Sequence, residues 1–237
     1  MFMDNPSISV VIPVYNEVRT ISSVIQIVLT WGKAKEIIVV NDGSTDQTAQ
    51  AVSRFHDFVT IISYSKNYGK GYALYRGIQK STGDIIMFLD GDVVGLTHHD
   101  LDCMTEPMVT RKADMVLGLA RFATLGVIQP FNTITGERVV YKKDIELLSR
   151  FWKKIGYGVE VMINEAYKRK RVLSVKLPYV YILSKLEKQV ISDAMISYIR
   201  EGMDMLTQIV KDQADSMKPH ARRIIQTVIT YLQEAIS

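Results

Sequence analysis

The first ninety residues alternate short β-branched apolar runs with stretches whose apolar residues recur at helical spacing. This pattern constrains the fold most strongly, because such uninterrupted runs are typical of strands buried on both faces. It predicts strands over 8–14, 37–40, 59–63 and 85–89, and helices over 20–29, 45–55 and 71–79. Alternating strands and helices favour right-handed crossovers. We therefore expect an α/β fold with a mostly parallel sheet flanked by helices.

The second half of the chain is less regular. Its apolar patterns predict strands over 115–119 and 171–183, a loop over 121–130, and helices near 143–148 and over 159–168. Pro178 lacks a backbone N–H, which favours an edge position for its strand. From 186 to 236 the apolar residues again follow helical spacing. We expect one α/β domain over 1–184 and a helical C-terminal extension over 185–237.

Composition places the chain among globular proteins. A hydrophobic content of 47% with a net charge of only +4 excludes a mainly disordered chain. Cys103 is the only cysteine, which excludes an intramolecular disulfide and favours a cytoplasmic location. No apolar run approaches the ~20 residues that a membrane-crossing helix needs, and no signal peptide is recognisable. We expect a soluble protein.

Basic residues are concentrated in one part of the chain. Residues 138–188 contain 13 Lys/Arg and 5 Asp/Glu, a local balance of +8. Such a balance indicates either an acidic partner, such as a phosphorylated acceptor or an anionic membrane, or simply solvated helix faces. The four consecutive cations at 168–171 have no interleaved aromatic residues, so nucleic-acid binding is not predicted.

The predicted topology already locates a site. In open α/β sheets, ligands bind outside the carboxyl ends of the strands. Here each predicted strand in the first half ends in polar residues or glycines. These ends read Tyr15-Asn16-Glu17, Asn41-Asp42-Gly43, Asn67-Tyr68-Gly69-Lys70-Gly71 and Asp90-Gly91-Asp92. We expect them to meet at one edge of the sheet.

Asp90-Gly91-Asp92 is the clearest chemical signal. Two carboxylates separated by one glycine, directly after a buried strand, can share a hard divalent cation. Mg²⁺ or Mn²⁺ bound in this way completes its coordination with water and substrate phosphates. The alternative is an acidic β-turn, since Asp-Gly is a common turn dipeptide. The apolar strand before the motif and the other polar strand ends favour Asp90 and Asp92 as metal ligands.

Three further side chains at the same edge are suited to bind a nucleotide. Asp42 can accept hydrogen bonds from a nucleobase or a ribose, and Glu17 has the same potential. Either carboxylate can instead cap the helix that follows it. Lys70 stands between two glycines and can approach a diphosphate, or can belong to an ordinary loop. The chain lacks the P-loop and dinucleotide-binding glycine patterns.

The four strand-end motifs resemble the nucleotide-sugar half of family 2 glycosyltransferases, which have the GT-A fold with its Rossmann-like sheet. The resemblance covers roughly the first hundred residues, so we expect a nucleotide-sugar half over 1–110 and an acceptor half over 111–184. It implies that Asp42 contacts the base, that Asp90 serves the ribose or the metal, and that Asp92 binds the metal. Further residues within these motifs are expected to contact the nucleotide-sugar: Pro13, Tyr15, Glu17, Lys70 and Gly91.

Two downstream motifs resemble the acceptor side of glucosyl-3-phosphoglycerate synthases and related transferases. They are Thr135-Gly136-Glu137-Arg138 and Gly156-Tyr157-Gly158-Val159-Glu160. Those enzymes add a histidine metal ligand in the following strand, where this chain has Ile182. Polyprenyl-phosphate glycosyltransferases share the first half equally well, and they are the second family indicated.

The resemblance implies transfer of a hexose from a UDP- or GDP-linked sugar to an anionic acceptor, either a small phosphorylated molecule or a lipid phosphate. A divalent cation on Asp92, with Lys70 or Arg138 nearby, would stabilise the charge of the leaving nucleoside diphosphate. Glu160 and Glu137 are the candidates for a base at the acceptor hydroxyl. Each can instead start a helix or pair with Arg138.

Two rival functions are consistent with the sequence. One is a non-catalytic nucleotide-sugar-binding or scaffold protein that acts through its C-terminal helices. The other is a sugar nucleotidyltransferase, although its usual glycine-rich loop is absent because residues 14–18 contain no glycine. The C-terminal pattern also allows a homodimer, or peripheral contact with the cytoplasmic face of the membrane.

Overall fold

The computed structural model describes residues 5–122, 135–154 and 158–182. Six α-helices and eight strands follow one another in these ranges. In chain order they are β1 (Ile8–Val14), α1 (Ile21–Trp31), β2 (Glu36–Asn41), α2 (Thr48–Ser53), β3 (Thr60–Ser63), α3 (Lys70–Lys80), β4 (Ile85–Phe88), β5 (Val93–Val94), α4 (His98–Val109), β6 (Met115–Phe122), β7 (Arg138–Tyr141), α5 (Lys142–Ser149), α6 (Val159–Tyr167) and β8 (Val172–Ile182). A 3-10 helix, Arg150–Lys154, follows α5.

The eight strands form one sheet in the order β3-β2-β1-β4-β7-β6-β8-β5. The strands β3, β2, β1 and β4 are mutually parallel, as the alternating pattern predicts. β7 runs antiparallel to both of its neighbours, while β6 and β8 pair in parallel. The expected α/β architecture is therefore confirmed, and the parallel half ends where β7 is inserted.

The sheet is buried on both faces because side chains alternate along each strand. On β1, Val10 and Ile12 pack beneath α1 and α4, while Val11 faces α3 on the opposite side. Burying an aliphatic side chain of this size stabilises the fold by ~1.5–3 kcal/mol. Helix α3 lies close to the sheet, since a Cβ on Gly77 would stand 2.3 Å from Cγ1 of Val11.

Several elements differ from the sequence prediction. The helix expected over 45–55 is shorter and begins at Thr48, whose backbone N–H donates to Asp46 at 2.9 Å. Helix α4 was not predicted, because Pro107 interrupts its pattern; its start is fixed by a capping box between Thr97 and Asp100. The short strands β5 and β7 were also missed.

The edge position expected for Pro178 is confirmed at that residue. β5 pairs with β8 only through Tyr181 and Ile182, so among the described strands β6 is the sole neighbour of β8 around Pro178. The proline is tolerated because the pairing of β8 with β6 shifts register between Leu119 and Arg121, opposite the segment from Lys176 to Tyr181. A missing donor costs little at such an irregularity.

Two predictions lie wholly or partly outside the described residues. The loop expected over 121–130 begins instead as the last residues of β6, and 123–130 are not described. The C-terminal helices expected over 185–237 also fall outside the described ranges. Within those ranges, no helix has the length and hydropathy required to span a bilayer.

Candidate active site

The topology gathers the predicted motifs at one edge of the sheet. The parallel strands β1, β2 and β4 all end there, at the three motifs that follow Val14, Asn41 and Phe88. Since β7 is antiparallel to β4 and pairs Arg138 with Phe88, the motif that precedes β7 starts at the same edge. The two halves of the domain therefore meet at this edge.

Lys70 joins the two halves directly. Its ammonium lies 2.8 Å from Oδ1 and 3.0 Å from Oδ2 of Asp90, and 2.8 Å from Oε1 of Glu160. The three side chains are 20%, 21% and 7% exposed, so solvent screens these contacts weakly. Burial alone would lower the pKa of Lys70, but the attraction of both carboxylates outweighs it and raises the pKa above its ordinary value. The lysine is therefore held as a cation within the site.

Gly136 makes room for the Asp90 carboxylate. A Cβ on Gly136 would stand 2.0 Å from Oδ2 and 2.4 Å from Cγ of Asp90. Any side chain here would push the carboxylate away from its present position. The sequence predicts no separate role for Gly136, although a glycine between Thr135 and Glu137 in a recognisable motif could have indicated a close contact.

Asp42 fastens the loop that leads into α3. Its two carboxylate oxygens accept the backbone N–H groups of Tyr68 at 2.9 Å and Gly69 at 2.7 Å. Gly43, at φ 72°, lets the turn approach the backbone of Lys66, which a Cβ would meet at 2.2 Å. Burial raises the pKa of Asp42, and these two hydrogen bonds oppose that rise only in part. Base contact by Asp42 stays a prediction; what the structure shows is support for the loop before Lys70.

The turn after β1 is held by hydrogen bonds to the turn after β2. Asn16 adopts a positive φ of 59°, and its Oδ1 accepts the Thr45 N–H at 2.8 Å. The Glu17 N–H donates to Oγ1 of Thr48 at 2.8 Å. Tyr15 is exposed at this edge. Contact of Pro13, Tyr15 and Glu17 with a nucleotide-sugar stays a prediction.

Gly91 is fixed between the first and fourth strands. Its carbonyl accepts a 2.6 Å hydrogen bond from Oγ1 of Thr20, at the start of α1. A Cβ on Gly91 would lie 2.7 Å from Cγ1 of Val14, so the close approach to β1 requires glycine. Thr20 was not singled out from the sequence, and no local pattern marks it.

The described residues at this edge fit a divalent cation only if the cation takes one or two protein ligands. Within the described ranges, no three His, Cys, Asp or Glu side chains are grouped closely enough to hold a metal. Lys70 bonds both oxygens of Asp90, and metal binding by Asp90 and Asp92 stays a prediction. Mg²⁺ and Mn²⁺ sites with one or two carboxylates are completed by water and substrate phosphates, and the residues present fit that arrangement.

Glu137 and Arg138 are buried behind the site. Arg138 is 1% exposed, and its guanidinium donates to the carbonyls of Thr135 and Glu160 and to Oδ1 of Asn164. Burial lowers the pKa of Arg138 against the attraction of the nearby carboxylates. Because Arg138 is buried, its position does not support direct contact of the guanidinium with a leaving group. The position is that of a positioning residue.

The two candidate bases are both buried and differ in their partners. Glu137 is fully buried, and its Oε2 accepts a 2.6 Å hydrogen bond from Oγ1 of Thr135. Burial and the charge of Asp90 raise the pKa of Glu137. Glu160, at the start of α6, is 5% exposed and contacts the Lys70 ammonium through Oε1. In the part of the chain that the structure describes, each of the two has one buried oxygen without a hydrogen-bond partner, so the contact with Lys70 is what favours Glu160.

The four cations at 168–171 lie at the opposite edge of the sheet, where α6 ends and β8 begins. Three of them form ion pairs: Lys168 with Glu165, Lys170 with Asp144 and Arg171 with Asp114, at 3.4, 2.7 and 2.9 Å. Acceptor binding at the site by this run is therefore not supported. The arrangement matches the alternative of a solvated helix end.

Comparison with known proteins agrees with this geometry. The family model described as glycosyl transferase family 2 matches residues 9–219. The chain belongs to glycosyltransferase family 2. This finding confirms the resemblance seen in the strand-end motifs.

Curated relatives match part of the chain. An undecaprenyl-phosphate 4-deoxy-4-formamido-L-arabinose transferase of Pectobacterium carotovorum subsp. carotovorum (strain PC1) is 37% identical over 101 residues, covering 39% of this chain and 31% of the relative. The enzyme of the same name from Pseudomonas aeruginosa (strain LESB58) is 36% identical over 94 residues, covering 36% and 28%. The matches thus span about a third of the length of these relatives.

Solved structures of glucosyl-3-phosphoglycerate synthase from Mycobacterium tuberculosis share the fold over most of the chain. The complex with Mn²⁺, UDP and glucosyl-3-phosphoglycerate has a TM-score of 0.66 at 21% identity, covering 86% of this chain and 79% of the synthase chain. The complex with Mg²⁺ and UDP has a TM-score of 0.65 at 22% identity, with the same coverage. These comparisons confirm the GT-A fold.

Proposed function

We propose that this family 2 glycosyltransferase moves a hexose from a UDP- or GDP-linked sugar to a phosphorylated acceptor, with Mg²⁺ or Mn²⁺ as cofactor. Family membership supports the reaction class. The synthase structures with the same fold contain UDP and either Mn²⁺ or Mg²⁺, which supports the donor and the cation. The acceptor and the role of each residue follow from the arrangement of the site.

The contact of Lys70 with both Asp90 and Glu160 carries this proposal. A lysine held as a cation between the donor motif and the acceptor motif is placed to stabilise negative charge that develops on a leaving diphosphate. Asp92, with Asp90, would hold the divalent cation, which when bound supplies further charge stabilisation at the diphosphate. Asp42 and Gly136 would keep the Lys70 loop and the Asp90 carboxylate in place.

Glu160 is the residue we assign to the acceptor, and it acts as a base only where the acceptor nucleophile is a hydroxyl. Its Oε1 bonds Lys70, while its Oε2 has no partner among the described residues and is available to accept a proton. When the acceptor is itself a phosphate, no strong base is required, and Glu160 then orients Lys70 and the acceptor.

A polyprenyl phosphate is the acceptor we favour over a phosphoglycerate. Ile182 pairs with Val93, the residue after Asp92, so β8 does bring this position to the metal motif. Isoleucine has no atom that can bind a metal, unlike the histidine expected in glucosyl-3-phosphoglycerate synthases. The relatives that are 36–37% identical over 94–101 residues are named as undecaprenyl-phosphate 4-deoxy-4-formamido-L-arabinose transferases.

Turnover with defined substrates tests the proposal. The full chain is incubated with UDP- and GDP-sugars and Mn²⁺, with either undecaprenyl phosphate or 3-phosphoglycerate, and release of the nucleoside diphosphate is measured. We expect release with the lipid phosphate, and loss of at least ~100-fold in Asp92→Asn. Asp57→Asn, which changes an exposed carboxylate at the turn before β3, is the matched control.

Each other outcome supports a different function. Donor binding without turnover supports a non-catalytic nucleotide-sugar-binding protein. Release of pyrophosphate from a nucleoside triphosphate and a sugar phosphate supports a nucleotidyltransferase. Transfer to 3-phosphoglycerate alone contradicts the choice of a lipid acceptor but leaves the reaction class intact.

A further inference from the structure

A cluster of four tyrosines covers the outer side of α3 and the loop before it. Tyr64, Tyr68, Tyr72 and Tyr75 pack against one another through edge-to-face and tilted ring contacts, and Tyr64 and Tyr75 also pack against the core. The ring centroids are 5.6 Å apart for Tyr64 and Tyr68, 4.9 Å for Tyr68 and Tyr72, and 6.3 Å for Tyr72 and Tyr75. Tyr68 is 47% exposed, a large fraction for an aromatic side chain. We call these residues, together with Lys66 and Arg76, the tyrosine patch.

The two cations of the patch lie against its rings. The Lys66 ammonium is 4.9 Å from the Tyr68 ring centroid, and the Arg76 guanidinium is 5.7 Å from that of Tyr64 and 6.0 Å from that of Tyr72. Arg76 also donates to the Tyr72 hydroxyl at 3.3 Å. Residues 64–81 contain no Asp/Glu, and three of their four Lys/Arg, all except Lys70, lie outside the ion pairs of the candidate active site. The surface therefore combines amphipathic rings with uncompensated positive charge.

The lack of ion pairs distinguishes this surface from the basic run at 168–171. Lys66, Arg76 and Lys80 form no salt bridge with any described carboxylate, whereas three of the four cations in that run do. Arg76, Tyr72, Tyr75 and Gln79 also line an open groove on α3. Positive charge without an internal partner is complementary to an anionic surface outside the chain.

The position of the patch connects it to the candidate active site. Helix α3 begins at Lys70, whose ammonium bonds Asp90 and Glu160, so Tyr68 and Tyr72 flank the residue at the centre of the site. The backbone N–H of Tyr68 donates to Asp42. A surface that binds the tyrosine patch would therefore stand at the rim of the site, while the run at 168–171 would point away from it.

We propose that the tyrosine patch docks the protein on an anionic phospholipid surface and presents the active-site edge to it. Tyrosine rings with one apolar side and one polar end suit the headgroup region of a bilayer, and Lys66 and Arg76 add electrostatic attraction. This inference rests on the proposed lipid-phosphate acceptor, but it names the surface involved and is measurable without turnover.

Vesicle binding tests the inference. Partition of the full chain onto mixed phosphatidylglycerol–phosphatidylcholine vesicles is compared with partition onto pure phosphatidylcholine. Each Lys or Arg near an anionic surface contributes about fivefold in partition. We expect Lys66→Gln/Arg76→Gln to lose about 25-fold on the anionic vesicles, and the control Lys168→Gln/Arg169→Gln to retain wild-type partition. Lys66→Gln alone leaves the Arg76 packing undisturbed, and we expect it to lose about fivefold.

Orientation is tested by Tyr68→Trp, whose fluorescence we expect brominated phosphatidylglycerol vesicles to quench. The inference is overturned if the wild-type protein does not bind anionic vesicles, if the variants at 168–169 lose as much as those in the patch, or if the tryptophan at 68 is not quenched. Vesicle binding that survives in an Asp92→Asn variant without turnover would separate docking from the catalytic proposal.

Discussion

The two halves of the domain build their parts of the site in different ways. In the nucleotide-sugar half, the predicted site residues stand on strand-end loops that backbone hydrogen bonds hold, as at Asp42 and Asn16. In the acceptor half, the site is made from charges buried against one another, with Arg138 and Glu137 at 1% and 0% exposure. The loops of the first half tolerate change better, whereas a change in the second half leaves a buried charge uncompensated.

Arg138→Met should have the largest effect on folding. It removes the donors to the backbone carbonyls of Thr135 and Glu160, and each buried acceptor left without a partner costs about 1–3 kcal/mol. Urea denaturation measures the loss. Arg171→Met, at the exposed end of the same half, is the control and should cost at most about 1 kcal/mol. Equal losses of unfolding free energy in Arg138→Met and Arg171→Met would contradict the claim that the buried cation contributes more to stability than the exposed one.

Gly136→Ala should come next, with a loss of about 1–3 kcal/mol from overpacking against Asp90. A double-mutant cycle with Asp90→Ala isolates the contact, since the alanine at 136 should cost far less when the carboxylate is absent. Additive losses in the cycle would show that Gly136 acts on something other than Asp90.

Asp42→Ala should cost about 1–3 kcal/mol, because the N–H groups of Tyr68 and Gly69 lose their acceptor. Asp42→Asn keeps one acceptor oxygen and should cost less. Hydrogen exchange at Tyr68 and Gly69 reports the same loosening locally. Unchanged exchange in Asp42→Ala would contradict the assigned support of the Lys70 loop.

The smallest effect is expected at the opposite edge, in the pair of Asp114 and Arg171. Hydrogen bonds from Arg171 lower the pKa of Asp114 from 3.8 to about 2. The pair therefore stabilises the protein above pH 3.8, and this contribution is lost as the pH falls towards 2. Asp114→Asn should reduce the free energy of unfolding by less than about 1 kcal/mol at pH 7, and its difference from wild type should vanish between pH 4 and pH 2. A difference that persists at pH 2 would place its origin outside the ion pair.

The sequence predicted the nucleotide-sugar half well because its information is local. Each strand is a continuous apolar run, and each motif follows its strand directly, so topology alone brings Asp42, Lys70 and Asp90 to one edge. The four-residue strand β7 was missed because its neighbours β4 and β6 lie far from it in sequence and its own pattern is too short to indicate a strand.

Contacts within the site were harder to predict, because they join residues that lie far apart in the sequence. The fit of Gly136 against Asp90 and the bond from Lys70 to Glu160 join residues 46 and 90 positions apart. Nothing in the sequence around any of these four residues indicates the two contacts. The burial of Arg138 could not be predicted either, because a charged residue close to a glycine ordinarily indicates an exposed loop.

The central claim is that the edge formed by Asp90, Asp92 and Lys70 binds a nucleotide-sugar together with a divalent cation. Calorimetric titration of UDP- and GDP-sugars into the full chain, with and without Mn²⁺, tests it most directly. The account predicts binding that requires Mn²⁺, is lost in Asp92→Asn, and is retained in Asp57→Asn. Equally tight donor binding without the cation, or in Asp92→Asn, would contradict it.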